Sequence, residues 1–275
     1  NGYSLTGWTF LGWARAKNAT SPDFSSGEKV ENLADKDGAI VTLYAVWQAN
    51  SYTLTFDTVG GSFAESVSVR YDGTLPAVST PTRKGYNFGG YFTRPGGVGT
   101  KYYDPEGNAT VSAYKTVGDT RLYAYWIPVS YNIEFYSEGK YVGVNKNVVY
   151  GSMKLPSAED IGIKRDHYNF VGWNIYDNQN WAMYFANTAY NTGLAGVEGE
   201  TVTLYAAWAE KSRYTINFDS NGGTGAPATE QVYEGETITL SDLVPARKNY
   251  TFLGWSDDVN ATQAKYLPGG EFTMG

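Results

Sequence analysis

"TFLGW" occupies residues 9–13, and "TFLGW" occupies residues 251–255, 242 positions later. Neither copy lies in a low-complexity tract, so the identity points to a repeated module. Two relatives lie between them, "NFGGY" (87–91) and "NFVGW" (169–173). Their phenylalanines, Phe10, Phe88, Phe170 and Phe252, are spaced by 78, 82 and 82 residues. Three further blocks keep the same beat. One is "TLYAVW" (42–47), "RLYAYW" (121–126) and "TLYAAW" (203–208). The next is "YTLTFD" (52–57), "YNIEFY" (131–136) and "YTINFD" (214–219). The last is "VRYDG" (69–73), "VVYG" (148–151) and "VYEG" (232–235).

The blocks read as strands. Tyr52, Leu54 and Phe56 alternate with Thr53, Thr55 and Asp57, and a period of two puts the apolar set on one face. Leu122, Ala124 and Trp126 share one face of the closing strand, with Tyr123 and Tyr125 on the other. "VGG" (59–61) and "NGG" (221–223) supply turns, where glycine tolerates positive φ. Only "SSGEKVENLAD" (25–35) suggests a helical turn or two, with Ser26 as N-cap and Val30, Leu33 and Ala34 inward.

The repeat divides the chain into residues 1–47, 52–126, 131–208 and 214–275, called here copies one to four. Copy one holds only the second half of the pattern, and copy four lacks the T-L-Y-A-x-W block. The links have four, four and five residues, and Pro128 stiffens one of them. A compact copy is about 30 Å across, so short links predict an elongated rod of about 100 Å.

Composition sets the class. The chain has 275 residues, 42% hydrophobic and 16% aromatic, enough to build packed cores. The net charge is −7 and no Lys/Arg run exists, so nucleic acid and anionic membranes are not expected partners. There is no Cys, which removes disulfides and thiolate metal sites. The apolar stretch "AIVTLYAVW" (39–47) is too short to insert in a bilayer.

Taken in order, these blocks resemble the internalin-type B repeat, also called the Listeria–Bacteroides repeat, over nearly the whole chain. Two departures stand out: Tyr91 replaces the block's Trp, and "YSEGKY" replaces the D-x-x-G-G turn. The resemblance implies small β-grasp-like modules, α+β but β-rich, in tandem. It also implies an extracellular setting, secreted or at a bacterial surface, between a ligand-binding head and the cell. No catalytic residue is carried over with it.

The residues themselves offer little for chemistry. His167 is the single histidine, at the position of Gly85 and Asn249; it has no second His or Cys for a metal site or dyad. The carboxylate pairs Asp104/Glu106, Glu159/Asp160 and Asp257/Asp258 do not recur and read as solvated loops rather than a glycosidase pair. "DSNGG" (219–223) lacks the ligand alternation of a calcium loop and reads as a hairpin turn. "GGVG" (96–99) lacks the flanking strand, helix and Lys of a phosphate loop. Sequons at Asn18, Asn108, Asn249 and Asn260 read as turn residues in a bacterial protein. No repeated Lys/Asn/acid trio suggests an internal cross-link. Catalysis, cofactor and metal are therefore not expected.

The aromatics divide in two. Trp47, Trp126 and Trp208, with Tyr44, Tyr123 and Tyr205, recur and read as core. Tyr176, Trp181, Tyr184, Phe185 and Tyr190 crowd the variable segment of copy three and are the candidate contacts for a host glycan or protein. The expected function is a non-catalytic stalk or adhesin segment that spaces other domains, with a binding module as the alternative. The two partial copies also suggest head-to-tail self-association by strand addition.

Overall fold

The computed structural model describes residues 2–275. Copy one contributes β1 (Trp8–Ala14) and β2 (Tyr44–Ala49). Copy two contributes β3 (Ser51–Asp57), β4 (Val67–Arg70), β5 (Tyr86–Arg94), β6 (Val98–Tyr103) and β7 (Thr120–Pro128). Copy three contributes β8 (Ser130–Ser137), β9 (Lys140–Val149), β10 (Met153–Lys154), β11 (Tyr168–Asn174), β12 (Ala189–Tyr190) and β13 (Thr201–Glu210). Copy four contributes β14 (Arg213–Ile216), β15 (Glu230–Tyr233), β16 (Thr237–Thr239) and β17 (Glu271–Thr273).

The α+β expectation is corrected: the chain is β-rich and almost without helix. Among the described residues the one helical element is a 3-10 turn at Pro95–Gly97. The turns expected at 25–35 do not form. Gly27 and Asn32 sit at φ +79° and +57°, and left-handed residues that close together interrupt any i→i−4 ladder. Val30 and Leu33 alone make no apolar stripe that would oppose this.

In copy two the sheet order is β4-β3-β7-β5-β6. The first and last strands of the repeat, β3 and β7, are parallel neighbours at its centre, and the flanking pairs are antiparallel. Copy three repeats this as β11-β13-β8-β9, with β13 parallel to β8 and antiparallel to β11. Smaller antiparallel pairs are β1/β2, β14/β15 and β16/β17, and β10 lies beside β12. Leu122, Ala124 and Trp126 are buried along β7, as the alternation predicts.

The recurring pentapeptide has a physical reason. Its Phe meets its Trp edge-on, at 5.3 Å for Phe10–Trp13, 5.3 Å for Phe170–Trp173 and 4.9 Å for Phe252–Trp255. The same Phe touches the Trp of the closing strand, at 5.3 Å for Trp47, 5.6 Å for Phe88–Trp126 and 5.4 Å for Phe170–Trp208. The opening strand adds another ring: Phe56 lies 4.5 Å from Tyr91 and Phe135 lies 4.5 Å from Trp173. Tyr91 thus does the packing work of a Trp. Such contacts add to the area effect because ring edges and faces attract.

The glycine between Phe and Trp marks a bulge. Register shifts occur at Phe10/Gly12, Phe88/Tyr91 and Phe170/Gly172. Gly172 has φ +138°, and a Cβ there would lie 2.5 Å from the Tyr184 carbonyl oxygen. The bulge turns the following Trp inward, and a returning segment then bridges to it. Trp173 N donates to Tyr184 O at 2.8 Å, and Tyr184 N donates to Trp173 O at 2.9 Å.

The first turn of each copy keeps one geometry across different sequences. Val59 and Gly60 have φ +48° and +81°; Glu138 and Gly139 have +51° and +73°; Asn221 and Gly222 have +48° and +79°. Two consecutive positive values are the geometry of a primed turn. "YSEGKY" therefore departs in letters and not in local shape; its turn joins β8 directly to β9, whereas those at 59–60 and in "DSNGG" lie inside the longer loops that separate β3 from β4 and β14 from β15.

By compactness the chain forms two units, residues up to Tyr131 with 147–153 and 191–200, and residues 132–146 with 154–190 and 201–275. Within each unit the same joint follows the pentapeptide's entry turn. Gly7, Gly85 and His167 all have positive φ, at +81°, +79° and +67°. Their carbonyls accept the N–H of a link residue: Asn50 at 2.9 Å, Val129 at 3.0 Å and Lys211 at 2.9 Å. The Tyr of the next V-x-Y-x-G or V-Y-E-G block then lies against the turn. Tyr71 covers Gly7 and Tyr150 covers Gly85, so closely that a Cβ would enter either ring. Tyr233 stacks on His167.

Candidate ligand-binding surface on copy three

The variable segment of copy three begins at Asn174, which is fully buried. Other copies place Ala14, Phe92 and Ser256 after the bulge. A buried amide needs partners, and Asn174 finds them at both ends of one loop. Its Oδ1 accepts from Tyr176 N at 3.0 Å, and its Nδ2 donates to Trp181 O at 3.2 Å. Trp181 is fixed further, because its Nε1 donates to Gln179 Oε1 at 3.1 Å. Gln179 O in turn accepts the N–H of Trp208 at 3.1 Å. The loop is thus pinned to the end of β13.

The five candidate aromatics separate into two sets. Tyr176, Trp181 and Phe185 are 60%, 49% and 59% exposed. Tyr184 and Tyr190 lie behind them, 5.6 Å apart and edge-on. Tyr190 OH accepts from Phe185 N at 2.6 Å, so it braces the loop. Tyr184 bridges Trp173, and the bridge recurs as Trp13–Phe24 and Trp255–Tyr266. Copy two holds the same pairing in Tyr91–Tyr103. Tyr184 therefore stands at a shared aromatic position. The signal was present in the sequence: an aromatic follows the bulge Trp or Tyr by 11 or 12 residues in every copy. Asn174 was not legible as a clamp, since its partners are backbone atoms.

Several titratable groups singled out in the sequence have structural partners. The Asp104 carboxyl is pushed up by desolvation, but hydrogen bonds from Asn108, Glu106 and Gly107 hold it below its ordinary value. Hydrogen bonding from Lys265 lowers Asp257. His167 Nδ1 lies 3.2 Å from Glu236 Oε2, and Lys211 Nζ lies 3.1 Å from Glu236 Oε1. Among the described residues no group of three or more His, Cys, Asp or Glu is arranged to hold a metal ion.

A family model described as the Listeria-Bacteroides repeat domain matches residues 52–125 and 214–274. A protein of Evansella cellulosilytica that carries only a membrane-protein description is 28% identical over 273 residues, 98% of this chain and 37% of its own length. A second, with a Gly-rich membrane-protein description, is 27% identical over 94% of this chain and 27% of its own length. Internalin H of Listeria monocytogenes is 37% identical over 119 residues, 41% of this chain and 20% of its own. The chain spans well under half the length of these relatives. No solved structure matches it significantly. No helix among the described residues is long and apolar enough to cross a membrane.

Proposed function

Because residues 52–125 and 214–274 are Listeria–Bacteroides repeats, we propose that the chain is a non-catalytic tandem-repeat segment of a bacterial surface protein. It spaces or presents other domains outside the cell. The observation that carries this reading is the repeated joint. Three times a Tyr from one block covers the entry turn of the block before it, with a carbonyl-to-link hydrogen bond beneath. Such a joint restricts the angle between neighbours, which is what a stalk needs. The mixed sheet with parallel first and last strands is the order expected of a β-grasp-like module, and it supports the view of each copy as one such module. Similarity to Internalin H over part of the chain supports the surface setting. Small-angle scattering of the whole chain tests the proposal. An elongated profile of about 100 Å is expected, and a globular profile would overturn it.

A second reading is favoured by one observation, the buried Asn174 clamp. It presents Tyr176 and Trp181 on a loop already ordered, which lowers the entropy lost on binding. This reading makes copy three a contact point for a host glycan or protein. A glycan array probed with the chain and with Trp181→Ala tests its glycan form: loss of a signal on substitution supports glycan binding, and an array without signal removes the glycan as the ligand.

A further inference from the structure

The outer face of the copy-two sheet carries aromatic side chains that its core does not use. Leu122, Ala124 and Trp126 are buried on the inner face. Tyr123 and Tyr125 therefore stand on the outer one, half-buried like Phe92. Tyr123, which its recurrence groups with the core, is an outer-face residue instead. Strand register lines up one row across four strands. Asp57 of β3 pairs with Tyr123 of β7, Tyr123 with Phe92 of β5, and Phe92 with Lys101 of β6. Tyr125 extends the row, its ring 5.8 Å from Phe92 and edge-on. Two glycines make room for it: a Cβ on Gly89 or Gly97 would lie 2.6 or 3.0 Å from the Tyr125 ring.

The other copies fold without these side chains. The place of Phe92 is held by Ala14, Asn174 and Ser256, and that of Tyr125 by Val46 and Ala207. Lys101 packs against the bulge glycine Gly90, where Pro22, Ala182 and Ala264 pack against Gly12, Gly172 and Gly254. The module thus accepts small residues at each place. Phe92, Lys101 and Tyr125 come together in copy two alone, which points to contact with a partner rather than to packing.

Charge selects the partner. On this face Arg121 is tied to Asp57 at 2.6 Å. Lys101 is not tied: its Nζ lies 5.3 Å from the Phe92 ring centroid. Arg94, two residues beyond Phe92 at the end of β5, is exposed. Among the described residues neither Lys101 nor Arg94 has a carboxylate within ion-pair distance. Copy two holds seven basic and six acidic residues, whereas copies one, three and four each hold more acidic than basic ones. The chain is acidic as a whole, and its unpaired cations beside aromatic rings lie here.

We propose that this face of copy two binds an acidic polysaccharide, a chain of carboxylate-bearing pyranose rings. Phe92, Tyr123 and Tyr125 take the C–H faces of the sugars, because the ring faces are electron-rich and apolar. Lys101, with Arg94 beside it, takes a carboxylate through charge-assisted hydrogen bonds. A neutral glycan leaves the ammonium unanswered, and an acidic peptide leaves the ring faces unused. The site lies apart from the Tyr176–Trp181 loop and does not depend on the reading of that loop.

Isothermal titration calorimetry of the whole chain with hexagalacturonate, maltohexaose and a hexaglutamate peptide tests this. Hexagalacturonate should bind, and its affinity should fall as salt is raised. The neutral sugar and the acidic peptide should each bind about tenfold more weakly or less, the loss of one charge-assisted contact or its equivalent. Lys101→Ala and Phe92→Ser should each weaken hexagalacturonate by about the same factor. Both substitutions install residues that other copies hold at these places, Ala182 and Ser256. Should either variant fail to fold, the ranking of the three probes on the native chain still decides. No binding of hexagalacturonate overturns the inference. Equal binding of hexaglutamate reduces the contact to charge, equal binding of maltohexaose removes the role of Lys101, and either result overturns it. Binding that is lost in Trp181→Ala and kept in Lys101→Ala places the contact in copy three and also overturns it. None of these outcomes bears on the stalk reading, which scattering decides.

Discussion

His167 lies flat on Tyr233, with ring centroids 3.9 Å apart and planes 20° from parallel. The equivalent pairs upstream are Gly7 with Tyr71 and Gly85 with Tyr150. One tyrosine position therefore meets a left-handed turn residue three times, and the single histidine of the chain serves as packing surface there. Arginines pack at the entry turns of copies two, three and four: the guanidinium carbons of Arg83, Arg165 and Arg247 lie 4.1, 3.8 and 4.2 Å from the ring centroids of Tyr86, Tyr168 and Tyr250.

Gly85→Ala should loosen this joint. The new Cβ enters the Tyr150 ring, and a residue with a Cβ must hold φ +79°. The left-handed conformation alone costs about 1 kcal/mol, and displacing the ring adds to it. Hydrogen exchange at Val129 and Tyr150, whose N–H groups bond within the joint, should accelerate. Unchanged exchange there would contradict the account.

Acid should loosen the joint at His167. Hydrogen bonding from Lys211, and then from His167, holds the Glu236 carboxyl below its ordinary value. A carboxylate depressed in the folded state contributes stability above its unfolded pKa of about 4.3, and that contribution is lost as pH falls through the lower folded value. Denaturant unfolding between pH 6 and pH 3 should show a loss of stability in that window, about pH 4 and below. Glu236→Gln should make that loss smaller, and an unchanged pH dependence would contradict the account.

Alkali should act on copy two. Burial pushes Tyr91 and Tyr103 up to about 12. Each group contributes fully below its unfolded pKa of about 10, and the contribution is lost as pH rises through the folded value. Stability should therefore fall from about pH 10 upward. Both hydroxyls are buried without a partner. Tyr91→Phe should raise stability at neutral pH by about 1 kcal/mol, because it removes an unpaired polar group. Denaturant unfolding at pH 7 and pH 10.5 checks both statements.

Two tryptophans of copy three should behave oppositely. Trp173 is fully buried, and Trp173→Ala should cost about 3–5 kcal/mol. Trp181 is half exposed, and Trp181→Ala should change stability by less than about 1 kcal/mol. Comparing the unfolding midpoints of the two variants is enough. A large loss at Trp181 would make it a packing residue rather than a presented one.

The sequence by itself determined the period, the strands and the inward face. Blocks spaced by 78 to 83 residues and alternation at Leu122, Ala124 and Trp126 are local signals, and the burial of these side chains follows from a two-residue period. It also marked Gly12, Gly90, Gly172 and Gly254 as recurring. What those glycines are for was decided by tertiary structure, since the atoms that forbid a Cβ belong to a segment about a dozen residues away. The helix at 25–35 failed for the converse reason: a local pattern suggested it, and Gly27 and Asn32 found left-handed positions in the packed chain. The division of the aromatics in copy three was also tertiary. Tyr176, Trp181 and Phe185 face outward, and Tyr184 and Tyr190 brace them, because Asn174 is buried and must satisfy its amide on both ends of one loop. His167 shows the same limit. Its role depends on Tyr233, Lys211 and Glu236, residues 44 to 69 positions downstream, and only the folded chain brings them together.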